Sequence, residues 1–441
     1  MSFIADKQTL EDLNLVGRFK SNSIFRLFDK TITNGGRQLM EQLFREPLIN
    51  AGSINERVRI FQYFGSKGVA LPFRDESFSA MENYLRGGSR GWLSSCWNIL
   101  LKKARSVITG TNEYRELEAG CINSIQVLQQ LRSFAGQLQQ DADNPFAKQL
   151  NHMQHVFANS KLQWLAGERG SSGIPLLKLV RYDHCLRGAM QQEMKMLMQL
   201  VYQMDVNIAV AAVAKAKEFC YPQALEPHLN SMHVSGLYHP HLSKPVANNA
   251  DFGSNDNVLF LTGANMAGKS TYMKSVGIAV YLAHMGFPVA AEQMEFSVKK
   301  GLFSSINVPD NLEHGYSHFY AEVLRVKKVA ETVDAGNDII VLFDELFKGT
   351  NVKDAFEATL SITKAFSGHR NCFFIISTHI IEVGEALKEN AANIRFLYMP
   401  TVMKGTTPTY TFRLKEGITE DRQGMMIIEN EGILELLKQT S

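Results

Sequence analysis

The sharpest chemical signal in the chain is the run Gly263, Ala264, Asn265, Met266, Ala267, Gly268, Lys269 and Ser270, which fits GxxxxGK(S/T) and continues into Thr271. An apolar run precedes it and a helical pattern follows, the setting this spacing needs to cradle phosphates. Glycines let backbone N–H groups wrap a phosphate, and the helix start adds the positive end of its dipole. Lys269 would neutralise β/γ oxygens and Ser270 would offer a hydroxyl to Mg²⁺. A chance glycine turn is the competing reading, and the strand and helix in register argue against it. Further along, Asp344 and Glu345 close a second apolar run and His379 follows a third. The expected chemistry is hydrolysis: Asp344 holds Mg²⁺, Glu345 orients or deprotonates an attacking water, and His379 senses the γ-phosphate. Carboxylates that only cap the next turn are the alternative.

Those groups converge only if the apolar runs are neighbouring parallel strands. Val258–Thr262, Ile339–Phe343 and Phe373–Ser377 are short, continuous and apolar, as strands covered on both faces of an α/β sheet are. Parallel strands gather their C-terminal ends at one edge, where such sheets bind ligands. Ile394–Met399 and Thr409–Leu414 read as an appended antiparallel pair, and Ile427–Lys438 as a final helix. From about residue 5 to residue 220 the composition is helix-permissive, with breaks at glycine and proline. Two long antiparallel helices joined near 170–175 fit best, and the stripe Met190, Met194, Met196, Met198 and Met204 reads as helical core before partner surface. The fold class is therefore multidomain α and α/β, a helical domain over 1–228 followed by an α/β domain over 229–441.

Composition narrows the rest. The 441 residues are 45% hydrophobic and 20% charged, which excludes a mainly disordered chain. No membrane-length apolar run and no secretory leader are read from the sequence, so the expected location is cytoplasmic with no membrane contact. Cys96, Cys121, Cys185, Cys220 and Cys372 form no CxxC pair, so reduced and mostly buried thiols are expected. Residues 1–229 hold 27 Lys and Arg against 21 Asp and Glu, and residues 230–441 hold 19 against 23. The mildly basic front half permits a polyanion without requiring one. Lys102, Lys103 and Arg105, with Arg86 and Arg90, are candidates for a phosphate-contacting patch, with a solvated helix end as the rival reading.

Taken together, these motifs resemble the MutS family of DNA mismatch-repair ATPases. Thr262–Thr271 resembles that family's phosphate loop. Asp310 to Phe319 with Glu322 resembles its D-D-L-x-x-G-x-S-T-F-x-x-E signature, Asp344 to Thr350 with Asp354 its D-E-I-G-R-G-T-x-x-x-D block, and Ser377-Thr378-His379 its A-T-H. Ser23 to Leu39 with Phe44-Arg45-Glu46-Pro47 is similar to the start of its helical core domain. The resemblance implies an ABC-like P-loop ATPase using ATP and Mg²⁺, with Asn265 beside the phosphates. It also implies a homodimer through the ATPase domains, in which Ser317 reaches the nucleotide of the other subunit, with an N-cap as its plainer role. The implied partner is DNA, duplex or branched.

Departures from the family shape further expectations. The mismatch-reading domain and connector are not expected here, and Phe44-Arg45-Glu46 reads as packing despite the reader's Phe-x-Glu spelling. The stretch before the return helix at Leu177 is short for a DNA-gripping clamp. Ala264 and Ala267 stand where Pro and Gly are common, Lys348 replaces Arg and Asn351 replaces Ser. A nucleotide-gated module acting on RNA, the ribosome or a protein partner is the alternative function. A small-molecule kinase fits poorly, because Glu345 suits water.

Overall fold

A computed structural model describes residues 2–17, 22–87, 91–139, 141, 143–168, 173–306, 318–389, 392–404 and 407–419. The chain forms two compact units, each discontinuous in sequence. One gathers Met1–Leu27, Phe44–Val58 and Ala214–Ser441; the other gathers Phe28–Leu43 and Arg59–Val213. The first differs in composition from a domain beginning at residue 229, because two N-terminal segments pack into it. Phe3 lies against Tyr281 and His284, and Phe44 is fully buried between Phe25 and Phe287. Asp12 accepts from the Ser304 hydroxyl at 2.7 Å and the Ile306 amide at 2.9 Å.

That unit is built on strands β1 (Gln223–Leu225), β2 (Met232–Leu237), β3 (Asn248–Phe252), β4 (Val258–Gly263), β5 (Gln293–Ser297), β6 (Gly301–Ser305), β7 (Ile339–Asp344), β8 (Phe373–Ser377), β9 (Ile394–Met399), β10 (Thr401–Lys404), β11 (Thr407–Tyr410) and β12 (Lys415–Glu416). The main sheet runs β12-β9-β4-β8-β7-β6, parallel from β9 to β6, with β12 antiparallel at its edge. β4, β7 and β8 are buried along almost their whole length, as their continuous apolar runs require. The expected terminal pair is different: β9 enters the sheet parallel to β4, its antiparallel partner is β12, and β10 and β11 pair with each other. Ile394, Leu397 and Met399 of β9 are buried beside β4, which favours the interior place. A second sheet runs β1-β5-β2-β3. The expected helix Ile427–Lys438 lies outside the described residues.

The other unit is helical. Helix Glu113–Gln139 buries Leu117, Cys121, Ile125, Leu128, Leu131, Ala135 and Leu138, a stripe at three- and four-residue steps. It packs against helices Asp75–Arg86, Ala147–Phe157 and Leu176–His184. Gly120 permits the crossing with Asp75–Arg86, since a Cβ there would sit 2.9 Å from Cβ of Tyr84. The outgoing helix ends at Gln139, short of the expected 170–175, because Ala147–Phe157 and a 3₁₀ turn at Ser160–Ala166 intervene. The return path is Leu176–His184, a π-helical turn at Cys185–Ala189, and Gln191–Lys217. Met190, Met194 and Met204 are buried, Met198 half-buried, and Met196 exposed. Gln191–Lys217 is long and apolar enough to cross a membrane by length and composition, against the reading that no such run exists, and 56% of its apolar window is buried inside the protein. Its buried Asp205 accepts from the amides of Ile32 and Thr33 and from the Thr33 hydroxyl. All five cysteines are free, three of them buried and Cys96 and Cys220 half-buried.

Candidate nucleotide site

Pairing of the parallel strands brings the candidate residues to one edge. Leu261 of β4 is in register with Ser377 of β8, and Ser377 with Asp344 of β7. β4 ends at Gly263, in the left-handed region at φ 141°, where a side chain would meet the Met399 carbonyl oxygen at 3.0 Å. Met266 (φ 71°) and Gly268 (φ 106°) complete the turn into helix Lys269–His284. Gly268 gives that helix no side-chain cap. Its first amides therefore lack partners of its own and point toward whatever sits at its start.

Lys269 is 4% exposed. Its ammonium donates to the Gly263 carbonyl at 2.7 Å and to that of Ala264 at 3.2 Å, and lies 4.0 Å from Oε1 of Glu345. Burial lowers its pKa, while Glu345 and Asp344 pull the other way. A buried cation satisfied chiefly by carbonyls is suited to exchange them for phosphate oxygens.

Asp344 ends β7 and accepts a hydrogen bond from the Ser377 hydroxyl. Glu345 sits at φ 52° and Phe347 at φ 63°, left-handed conformations that cost side-chain-bearing residues roughly 1–3 kcal/mol each. The Glu345 amide donates to the Ser377 carbonyl at 3.0 Å, which fixes this turn to β8. A cleft of about 600 Å³ holds Ala264, Asn265, Met266, Gly268, Lys269, Ser270, Thr271, Asp344 and Glu345 in its wall. Gly263 contributes its carbonyl to Lys269, and Ala267 is buried beneath the loop. His379 follows β8 at the same edge, is exposed, and is not part of that wall. Ser317 and most of the signature segment lie outside the described residues. Among the described residues there is no cluster of three or more His, Cys, Asp or Glu able to hold a metal. A hydroxyl and one carboxylate, Ser270 and Asp344, suit Mg²⁺, which keeps waters and shares phosphate oxygens instead of filling a protein cage.

Sequence reasoning missed the rest of the wall. Tyr238, His239 and Phe412 bring rings. Asn248 holds the Phe412 turn from both sides, donating to the Phe412 carbonyl at 2.9 Å and accepting from the Leu414 amide at 2.7 Å. Burial, with His241 and Lys274 nearby, pushes His239 down to about 4, so its ring is neutral near pH 7. No spacing rule links these positions. The Ser377 contact had a signal, since Ser377 opens the Ser377-Thr378-His379 triplet.

Residues 8–220 match the model of MutS domain III and residues 259–439 that of MutS domain V. The chain belongs to the MutS family. DNA mismatch repair protein MutS of Leuconostoc mesenteroides is 24% identical over 91% of this chain and 57% of its own length. DNA mismatch repair protein spellchecker 1 of Drosophila melanogaster is 28% identical over 50% of this chain and 24% of its own length. Human MutS protein homolog 4 is 27% identical over 56% and 26%. The chain thus spans between about a quarter and somewhat over half of these relatives. Within MutS domain V lie the phosphate loop, Asp344, Glu345 and His379, and the match begins one residue into β4.

Proposed function

We propose that this MutS-family chain binds ATP with Mg²⁺, hydrolyses it to ADP and phosphate, and uses the nucleotide state to control a homodimer on DNA in a role related to mismatch repair. The observation that carries the reading is the convergence of Lys269, Asp344 and Glu345 on one cleft from two strands of a parallel sheet. Loop amides and Lys269 bind the phosphates, and the rings of Tyr238, His239 and Phe412 give a base an apolar wall. Ser270 and Asp344 hold the Mg²⁺, which when bound offsets charge on the β and γ oxygens. Glu345 orients a water and takes its proton as the water oxygen bonds to the γ-phosphorus, while the bond to the β–γ bridging oxygen breaks. His379 senses the γ-phosphate from the strand edge, and Ser317 of a second copy completes the site.

The reading is tested by phosphate release from ATP, with Mg²⁺ and with the metal chelated, beside titration of duplex and branched DNA at two salt concentrations with and without ATP. Release that needs the metal and DNA affinity that changes with nucleotide are expected. Absence of metal-dependent release overturns the ATPase assignment. DNA affinity blind to nucleotide overturns the coupling.

A further inference from the structure

Helix Trp92–Thr109, in the helical unit, inverts the usual order of a surface helix. Gly91 precedes it and Gly110, at φ 69°, ends it. Its buried positions are Ser95 and Ile99, one turn apart. On the opposite face, where polar side chains ordinarily lie, are Leu93, Trp97, Leu100, Ala104, Val107 and Ile108, at helical spacing i, i+4, i+7, i+11, i+14 and i+15. All six are exposed: Leu93, Val107 and Ile108 by 81% and Trp97 by 65%. Single exposed apolar residues are ordinary, whereas a continuous face along a whole helix marks a binding surface.

Charge says what covers it. From Gly87 to Asn112 the sequence has no Asp or Glu, and it contains Arg90, Lys102, Lys103 and Arg105. At 100° per residue, Lys103 borders one side of the apolar face and Arg105 the other, and both are exposed. A second copy of this helix would bring the same cations to the same borders, with no acid to pair them. Nucleic acid shares the phosphate chemistry, yet of the six face residues only Trp97 offers a ring for a base to stack on. Leu93, Leu100, Val107 and Ile108 are hydrocarbon.

We propose that this helix docks flat on a bilayer carrying anionic phospholipids, its apolar face at the acyl boundary and Lys103 and Arg105 on the headgroup phosphates. Trp97, on that face, suits the headgroup level, where indole rings concentrate. The contact is peripheral and independent of the nucleotide site.

The test floats the full chain with vesicles of phosphatidylcholine alone and of phosphatidylcholine with about a third phosphatidylglycerol, at low and high salt. Binding to the anionic vesicles is expected to be at least about tenfold tighter than to the neutral ones, and to fall several-fold in high salt. The double substitution L93E/I108E changes side chains already in water, so the thermal midpoint should hold while vesicle binding drops at least about tenfold. Changing Lys103 and Arg105 to Glu should erase the anionic preference. Failure to bind anionic vesicles overturns the proposal, as does equal binding to both kinds. Self-association or single-stranded DNA binding that L93E/I108E abolishes, with vesicles unbound, also overturns it and gives the face to a second copy or to nucleic acid.

Discussion

The ammonium of Lys269 stands 4.0 Å from Glu345 while it is held by the Gly263 carbonyl at 2.7 Å. The two residues follow β4 and β7, which are not neighbours; β8 lies between them. Ser377, the last residue of β8, spans the gap by binding Asp344 through its hydroxyl and the Glu345 amide through its carbonyl. Strand order, and not sequence proximity, sets the distance between the buried ammonium of Lys269 and the Glu345 carboxylate.

Ser377→Ala removes the donor that fixes the Asp344 carboxylate. Loss of such an outer contact typically weakens metal binding about 10- to 100-fold. The Mg²⁺ concentration giving half-maximal ATP turnover should rise at least about tenfold, with metal-free ATP binding unchanged. An unaltered Mg²⁺ requirement would remove Asp344 as the metal's carboxylate.

Phe44→Ala opens a cavity among Phe25, Phe287 and Tyr281, whose hydroxyl donates to the Phe44 carbonyl at 2.6 Å. The expected loss is about 3–5 kcal/mol, read by urea denaturation of the unit that also holds the phosphate loop. A loss under about 1 kcal/mol would mean that Phe44–Val58 is not integral to that core.

Acid should weaken the same unit through Asp6. Burial alone would raise its carboxyl pKa, but hydrogen bonds from Arg325 and Lys328 outweigh it and hold the group well below its ordinary 3.8. A depressed folded pKa contributes stability that is fully present above the unfolded value and lost as pH falls through the folded one. Asp6→Asn should therefore cost roughly 2 kcal/mol at neutral pH. The gap from wild type should narrow steadily below about pH 4. A gap that stays constant into acid would rule out the ion pair as its source.

If Ser317 completes the site of a second copy, inactive Lys269→Ala and Ser317→Ala chains should complement when mixed. Equal mixing of two-fold dimers leaves about half of them mixed, each with one working site, so roughly a quarter of wild-type turnover should return. No recovery in dimers shown to have exchanged would place Ser317 in its own subunit's site or outside any.

The centre of the sheet was legible because β4, β7 and β8 are covered on both faces and so read as unbroken apolar runs, β4 running into a glycine turn and β7 and β8 ending at Asp344 and Ser377. β9 was legible as a strand but not as a parallel one, since alternation says nothing about which neighbour a strand pairs with. The division of the chain into units was hidden for a similar reason. Asp6 and Arg325, or Phe44 and Phe287, are single contacts across hundreds of residues that leave no local pattern. Glu345 at φ 52° was equally invisible, because propensity disfavours that conformation and the contact to Ser377 imposes it.

The most direct test of the account compares ATP binding and phosphate release in Lys269→Ala and Glu345→Gln beside wild type, with Mg²⁺ present. Lys269→Ala should lose binding, since the phosphates lose their buried cation. Glu345→Gln should bind ATP as wild type does and release phosphate at least about a hundredfold more slowly, because its amide cannot take the water's proton. Wild-type turnover in Glu345→Gln, or undiminished ATP binding in Lys269→Ala, would contradict it.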